Sequence, residues 1–262
     1  MARVKTANGI ALGYDEAGAG ERTAIVFLHG VGSDKSVWRP QLAHFGSDRR
    51  VVAFDYPGYG ESDPAPQGAT RDDFAAAILF AMTQLGIDRA HVCGLSLGGV
   101  IAIAIHHAAA DRVASLIIAD SFAEHPDGQA IFERSLAGSH DMRALAEARV
   151  DALLAQPADP SVRREVIETM ARIDPAAYVI GAEAVWLAKQ RERAAAIEVP
   201  TLVLCGTEDK PTPPALSAEL ARLIPGARYE LIEAAGHLTN LEQPERFNRL
   251  AASFLRGLEE PA

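Results

Sequence analysis

The chain predicts an α/β fold: a mostly parallel central sheet flanked by helices, with a helical insertion between two late strands. Short, continuous apolar runs recur along the 262 residues, as in strands covered on both faces. Segments with helical periodicity separate most of them, the alternation that builds parallel sheets. A long stretch, 122–195, carries helix-forming segments and no β-rich run.

In chain order, residues 4–14 read as two short strands around Asn8-Gly9, a dipeptide that tolerates the positive φ of a tight hairpin. An antiparallel edge therefore begins the sheet. Residues 23–28 form the first fully buried run, and 51–54, Ala90–Leu95, Val113–Ala119, 201–205 and Arg228–Ile232 repeat it. Helical periodicity fills 71–85, 97–110, Pro214–Leu223 and 244–258. Pro126, Gly138, Pro157, Pro160, Asp174-Pro175 and Gly181 punctuate the insertion. The expected division is a core of residues 1–121 and 196–262 and a helical cap of 122–195. A cap at the carboxyl ends of the strands is well placed to roof a pocket, since open α/β sheets bind ligands there. Packing or assembly of a homo-oligomer is its alternative role.

Hydrophobic residues make up 48% and charged residues 23% of the chain, ordinary globular usage that excludes disordered and collagenous chains. Lys plus Arg total 25 against 35 Asp plus Glu, a formal net charge of −10 that argues against nucleic acid or an anionic membrane as partner. No apolar run reaches the ~20 residues of a membrane span, and no apolar stretch follows Arg3 and Lys5 to make a secretory leader. The two cysteines, Cys93 and Cys205, sit in strand-like runs. They suit a reducing cytoplasm better than a disulfide scaffold.

The sharpest chemical signal is Gly94-Leu95-Ser96-Leu97-Gly98-Gly99, a G-x-S-x-G pattern directly between a strand and an apolar helix. A serine held at the tip of so sharp a turn needs strained backbone, and side chains two residues to either side would collide with neighbouring elements. The helix that follows turns its free amides and positive dipole end toward Ser96.

A serine nucleophile needs a base, and a histidine base needs an orienting carboxylate. Of the eight histidines, His237 lies in a glycine-bearing loop after a late strand. His29 fits a role in holding a loop, and His106 and His107 fall on the apolar helix. The acid is expected at a strand tip between Ser96 and His237. Asp209 follows Gly206 and precedes a proline-stiffened loop; Glu208 beside it and Asp120 after Val113–Ala119 are the alternatives. Two amides are positioned as oxyanion donors, that of Leu97 just after the serine and that of Val31 in His29-Gly-Val-Gly32. Trp38, Phe122 and Trp186 are candidates to line an apolar acyl site, although core packing is the commoner role of such residues. No His-Glu-x-x-His or cysteine cluster points to a metal.

These residues resemble the α/β-hydrolase family over nearly the whole chain outside the insertion. His29-Gly30, the stretch from Asp55 to Ser62, Gly94 to Gly99, Gly206 to Asp209 and Gly236-His237 stand in the family's order. The resemblance implies the α/β-hydrolase fold, Ser96 as nucleophile, Asp209 as acid, His237 as base, and a cap inserted after the sixth strand. Within the family, Pro200-Thr-Leu-Val, Thr212-Pro-Pro214, Ile224-Pro-Gly-Ala227 and the stretch from His237 to Pro244 are similar to 3-oxoadipate enol-lactonases. The expected activity is cofactor-independent hydrolysis of a small-molecule carboxylic ester or lactone. A carbon–carbon bond hydrolase with the same triad and a non-catalytic ligand sensor are the alternatives. A haloalkane dehalogenase is disfavoured, because it needs a carboxylate where this chain has Ser96.

Overall fold

A computed structural model describes residues 2–7 and 9–259. Strand β1 (Ala2–Lys5) pairs antiparallel with the start of β2 (Ala11–Leu28), the expected edge. Asn8 of the expected turn lies outside the described residues. The separate strands expected around 14 and 23 are instead one 18-residue β2. Strand β3 (Arg49–Phe54) accounts for the continuity. Tyr14 pairs with Phe54 and Ala17 with Val51; farther on, Ile25 pairs with Val51 and Leu28 with Phe54. The register thus runs opposite ways along the two halves of β2, which wraps β3 with shifts near Glu21 and Arg22 that let the strand bend.

Beyond β2 the sheet continues in parallel through β4 (Ala90–Leu95), β5 (Val113–Ala119), β6 (Thr201–Gly206) and β7 (Arg228–Ile232). All six residues of β4 and of β6 are buried, which is why these strands read as unbroken apolar runs. Burying each Leu, Ile or Val side chain there contributes about 1.5–3 kcal/mol.

Helices α1 (Arg39–Phe45), α2 (Arg71–Gln84) and α3 (Leu97–Ala108) precede the insertion. The sequence pattern does not reveal α1, whose seven residues span two turns, too few to show a period. Thr70 and Asp73 cap α2 reciprocally: each side chain accepts the other's backbone N–H. Helix α3 is buried from Leu97 to His106, as a helix apolar on all sides must be.

Between β5 and β6 lie α4 (Gly128–Gly138), α5 (Met142–Leu153), α6 (Pro160–Ala171), α7 (Pro175–Trp186) and α8 (Arg191–Ala195). Asp159-Pro160 and Asp174-Pro175 start α6 and α7, each aspartate accepting from backbone amides of the first turn. The insertion leaves and rejoins the sheet at one place: Gln190 N donates to Ala123 O at 2.9 Å, and Glu124 bridges Lys189. Helices α9 (Pro214–Leu223), α10 (Thr239–Glu242) and α11 (Pro244–Glu259) complete the chain. Among the described residues no helix is long and apolar enough to cross a membrane. Both cysteines are buried free thiols.

Candidate active site

Ser96 joins β4 to α3 with φ 54° and ψ −113°. That backbone is sparsely populated by non-glycine residues and costs on the order of 1–3 kcal/mol, so the surroundings must enforce it. A Cβ on Gly94 would lie 2.1 Å from Gly98 O, and one on Gly98 would lie 2.1 Å from Leu28 O. The two flanking glycines are therefore steric necessities. Ser121 Oγ donates to Ser96 O at 2.8 Å and braces the turn from β5. The Ser96 hydroxyl is buried and carries no hydrogen bond.

His237 follows β7 and approaches from the other side. Its Nδ1 lies 2.9 Å from Asp209 Oδ2. Of the three acids the sequence offers, Asp209 is the one whose carboxylate meets the imidazole. Glu208 is exposed and faces the Gln156 amide at 3.5 Å. Asp120 is buried and engaged elsewhere: Oδ1 accepts from Gly206 N at 2.9 Å, and Oδ2 accepts from Thr239 Oγ1. Burial, reinforced by the neighbouring Asp209 carboxylate, pushes the Asp120 carboxyl well above the usual range.

Two residues that sequence reasoning missed hold this pair. Thr212 Oγ1 lies 2.6 Å from Asp209 Oδ2 and 3.1 Å from His237 Nδ1, while its amide donates to Asp209 Oδ1 at 2.9 Å. Glu242 accepts Gly236 N at 2.9 Å through Oε1 and Ala155 N at 2.7 Å through Oε2, which ties the His237 loop to the insertion. The His237 amide itself donates to Leu153 O at 2.7 Å. Thr212-Pro-Pro214 and the stretch to Pro244 were legible as motifs, but nothing local shows where their side chains reach.

Asp120, Cys205 and Asp209 bring ligand-type atoms within 4.8 Å of one another, a grouping that sequence spacing does not suggest. The two carboxylates are already hydrogen-bonded as described. Burial and both nearby carboxylates push the Cys205 thiol far up, so it stays protonated and is a poor metal ligand.

Val31 lies in the turn after β2, and Leu97 is the first residue of α3. A Cβ on Gly30 would lie 3.5 Å from Ser96 Cβ, so the loop carrying Val31 packs directly against the serine. Neither the Val31 nor the Leu97 amide has a hydrogen-bond acceptor among the described residues. His29 holds this loop: Nδ1 meets Gly30 O at 2.8 Å, and Tyr56 Oη donates to His29 O at 3.2 Å. Burial lowers its pKa and keeps it neutral. Asp55 is likewise structural, pairing with buried Lys35 at 2.9 Å.

A cavity of about 40 Å³ lies against Ser96 and His237, walled by Val31, Val37, Leu153, Met170 and Trp186. Of the three aromatic candidates, only Trp186 lines it. Trp38 is a correction: it is fully buried between Phe27, at 4.9 Å, and Phe247, at 5.9 Å, because its short helical turn packs onto the sheet. Phe122 is another, stacked behind Trp186 at 5.8 Å and supporting that wall without reaching the cavity.

Residues 25–250 match the model of the alpha/beta hydrolase family. The chain is 30% identical over 243 residues to 3-oxoadipate enol-lactonase 1 of Acinetobacter baylyi, which covers 90% of each chain. Among solved structures, the enol-lactonase from Burkholderia xenovorans superposes with a TM-score of 0.90 and 31% identity, over 97% of this chain and 100% of that one. A thermophilic esterase from Thermogutta terrifontis superposes with a TM-score of 0.91 and 27% identity, over 99% and 100%.

Proposed function

The chain belongs to the alpha/beta hydrolase family, and we propose that it is a serine hydrolase cleaving a carboxylic ester or lactone through an acyl-enzyme on Ser96. The observation that carries this is His237, held by Asp209 at 2.9 Å, lining one cavity with the serine, whose buried hydroxyl sits at a strained turn. The similarity to enol-lactonases and esterases supports the substrate class.

In this mechanism Ser96 Oγ attacks the carbonyl carbon while His237 Nε2 takes its proton. Ser96 Oγ carries no hydrogen bond in this structure, and catalytic hydrogen bonds often form or tighten only on substrate binding. Asp209 fixes the Nδ1–H tautomer and stabilises the imidazolium that forms. The amides of Val31 and Leu97 hold the oxyanion, each worth about 2.7–4 kcal/mol in acyl transfer. The imidazolium then protonates the departing alkoxide, and water activated by His237 releases the acid. No cofactor enters these steps. The residues 122–195 act as a cap: α5 and α6 supply Leu153 and Met170 to the cavity wall.

The test is hydrolysis of a panel of short esters and lactones by the wild type and by Ser96→Ala. Turnover by the wild type and its loss in a variant with unchanged circular dichroism are expected. Equal turnover by both proteins would contradict the mechanism.

A further inference from the structure

His237 stands on a loop, and the backbone of that loop is held from outside the sheet. The amide of Gly236 donates to Glu242 Oε1 at 2.9 Å, that of His237 to Leu153 O at 2.7 Å, and that of Leu238 to Glu242 Oε1 at 3.4 Å. Three consecutive donors thus have their acceptors on α10 and at the end of α5. The other oxygen of Glu242 accepts from Ala155 N at 2.7 Å, two residues past the end of α5. One carboxylate therefore joins the histidine loop to the insertion, and Leu153 O joins them a second time.

The two segments also touch backbone to backbone. A Cβ on Gly236 would lie 2.7 Å from both Leu153 O and Ala155 N. The φ of Gly236 is outside the left-handed region, so the approach of the insertion, and not the turn, excludes a side chain there. Leu153 has a second role, because it lines the cavity at Ser96. On the imidazole itself, Asp209 and Thr212 meet Nδ1. The direction of Nε2 is left to the backbone that carries the ring.

Resting on the hydrolase mechanism above, we propose that Glu242 is a positioning residue: it fastens the end of α5 to the His237 loop, and through that seam the insertion aligns the imidazole with Ser96. The insertion then supports the base as well as roofing the cavity. Loosening the seam lowers turnover even where the cavity still takes its ligand, since a misplacement of about 1 Å can cost on the order of 100-fold in rate.

Glu242→Gln tests this on p-nitrophenyl acetate. Glutamine fills the same space, but a carboxylate only accepts, whereas an amide offers one acceptor and turns a donor toward the other N–H. Burial raises the Glu242 pKa, so the assay is run at pH ~8, where the wild-type carboxylate is ionised. The variant is expected to lose about tenfold or more in kcat, the scale of a hydrogen bond to a charged group, with KM changed by less than about threefold. Hydrogen exchange at residues 153–156 and 234–238 should accelerate together. Gly236→Ala forces the same seam apart with Glu242 and the catalytic groups in place, and should show the same split. Wild-type kcat in either folded variant, a loss confined to KM, or exchange that accelerates in one segment alone overturns the proposal while the hydrolase mechanism stands. A wild type that hydrolyses no ester or lactone overturns both. Should neither variant fold, the amides of Ala155, Gly236 and His237 in the wild type decide: common protection is expected, and protection more than about tenfold apart overturns the proposal.

Discussion

Replacing Thr212 by valine keeps the shape of a fully buried side chain and deletes one hydroxyl. That hydroxyl lies 2.6 Å from Asp209 Oδ2, 3.0 Å from Asp120 O and 3.1 Å from His237 Nδ1. Asp209 Oδ2 would keep the imidazole at 2.9 Å, and Oδ1 would keep the Thr212 amide, also at 2.9 Å. The carboxylate thus stays in place but loses the contact that restrains the oxygen facing the imidazole. A hydrogen bond to a charged group is worth about 1.5–3 kcal/mol, which as lost transition-state stabilisation corresponds to roughly 10- to 150-fold in kcat/KM. Since the histidine contact survives, the lower end of that range is expected, as a fall in kcat with KM little changed. Steady-state kinetics on a short ester would measure it, with Thr212→Ser retaining most of the activity. If Thr212→Val matched the wild type in kcat, the hydroxyl would have no part in holding the acid.

Asp209→Asn should cost about 10⁴-fold in kcat, the scale seen when a triad acid can no longer hold the correct tautomer, whereas Glu208→Gln should stay within a few-fold; the reverse order would exchange the two acids. His91, packed on Ser115 Oγ at 2.8 Å, has its pKa lowered to about 4, chiefly by burial and next by Arg49. The unfolded chain therefore takes up a proton that the native one refuses, and stability present above pH ~6.5 is lost as pH falls toward ~4, by about 3 kcal/mol at most. Urea unfolding of His91→Asn beside the wild type at several pH values should show a shallower acid loss in the variant; parallel curves would mean that the site does not exclude the proton.

How much of this was legible in the sequence depends on distance along the chain. The Ser96 turn announced itself because its constraints are local: Gly94 and Gly98 lie two residues away, and both contacts that demand glycine are to backbone. His237 and the parallel strands were legible for the same reason, through turn glycines and buried runs. Its place after Gly206 and before the prolines favours Asp209 over Glu208 and Asp120 in sequence, but which of the three carboxylates meets the imidazole is set by tertiary directions that no local pattern carries. Thr212 and Glu242 acquire their roles through partners remote in sequence, Asp120 at 92 residues for the one and Ala155 at 87 for the other. The joining of two expected strands into β2 follows from the way the strand wraps β3, a constraint absent from its own residues. Trp38 and Trp186 are equally apolar in sequence, yet the sheet takes one and the cavity wall takes the other.

Mapping the covalent adduct left by a fluorophosphonate probe tests the nucleophile most directly. Mass spectrometry of the labelled, digested wild-type protein should locate the phosphonyl group on Ser96, with loss of ester hydrolysis in proportion to labelling and no adduct on Ser96→Ala. An adduct on a different residue that tracks the loss of activity, or an active enzyme whose Ser96 stays unmodified under complete inactivation, would contradict it.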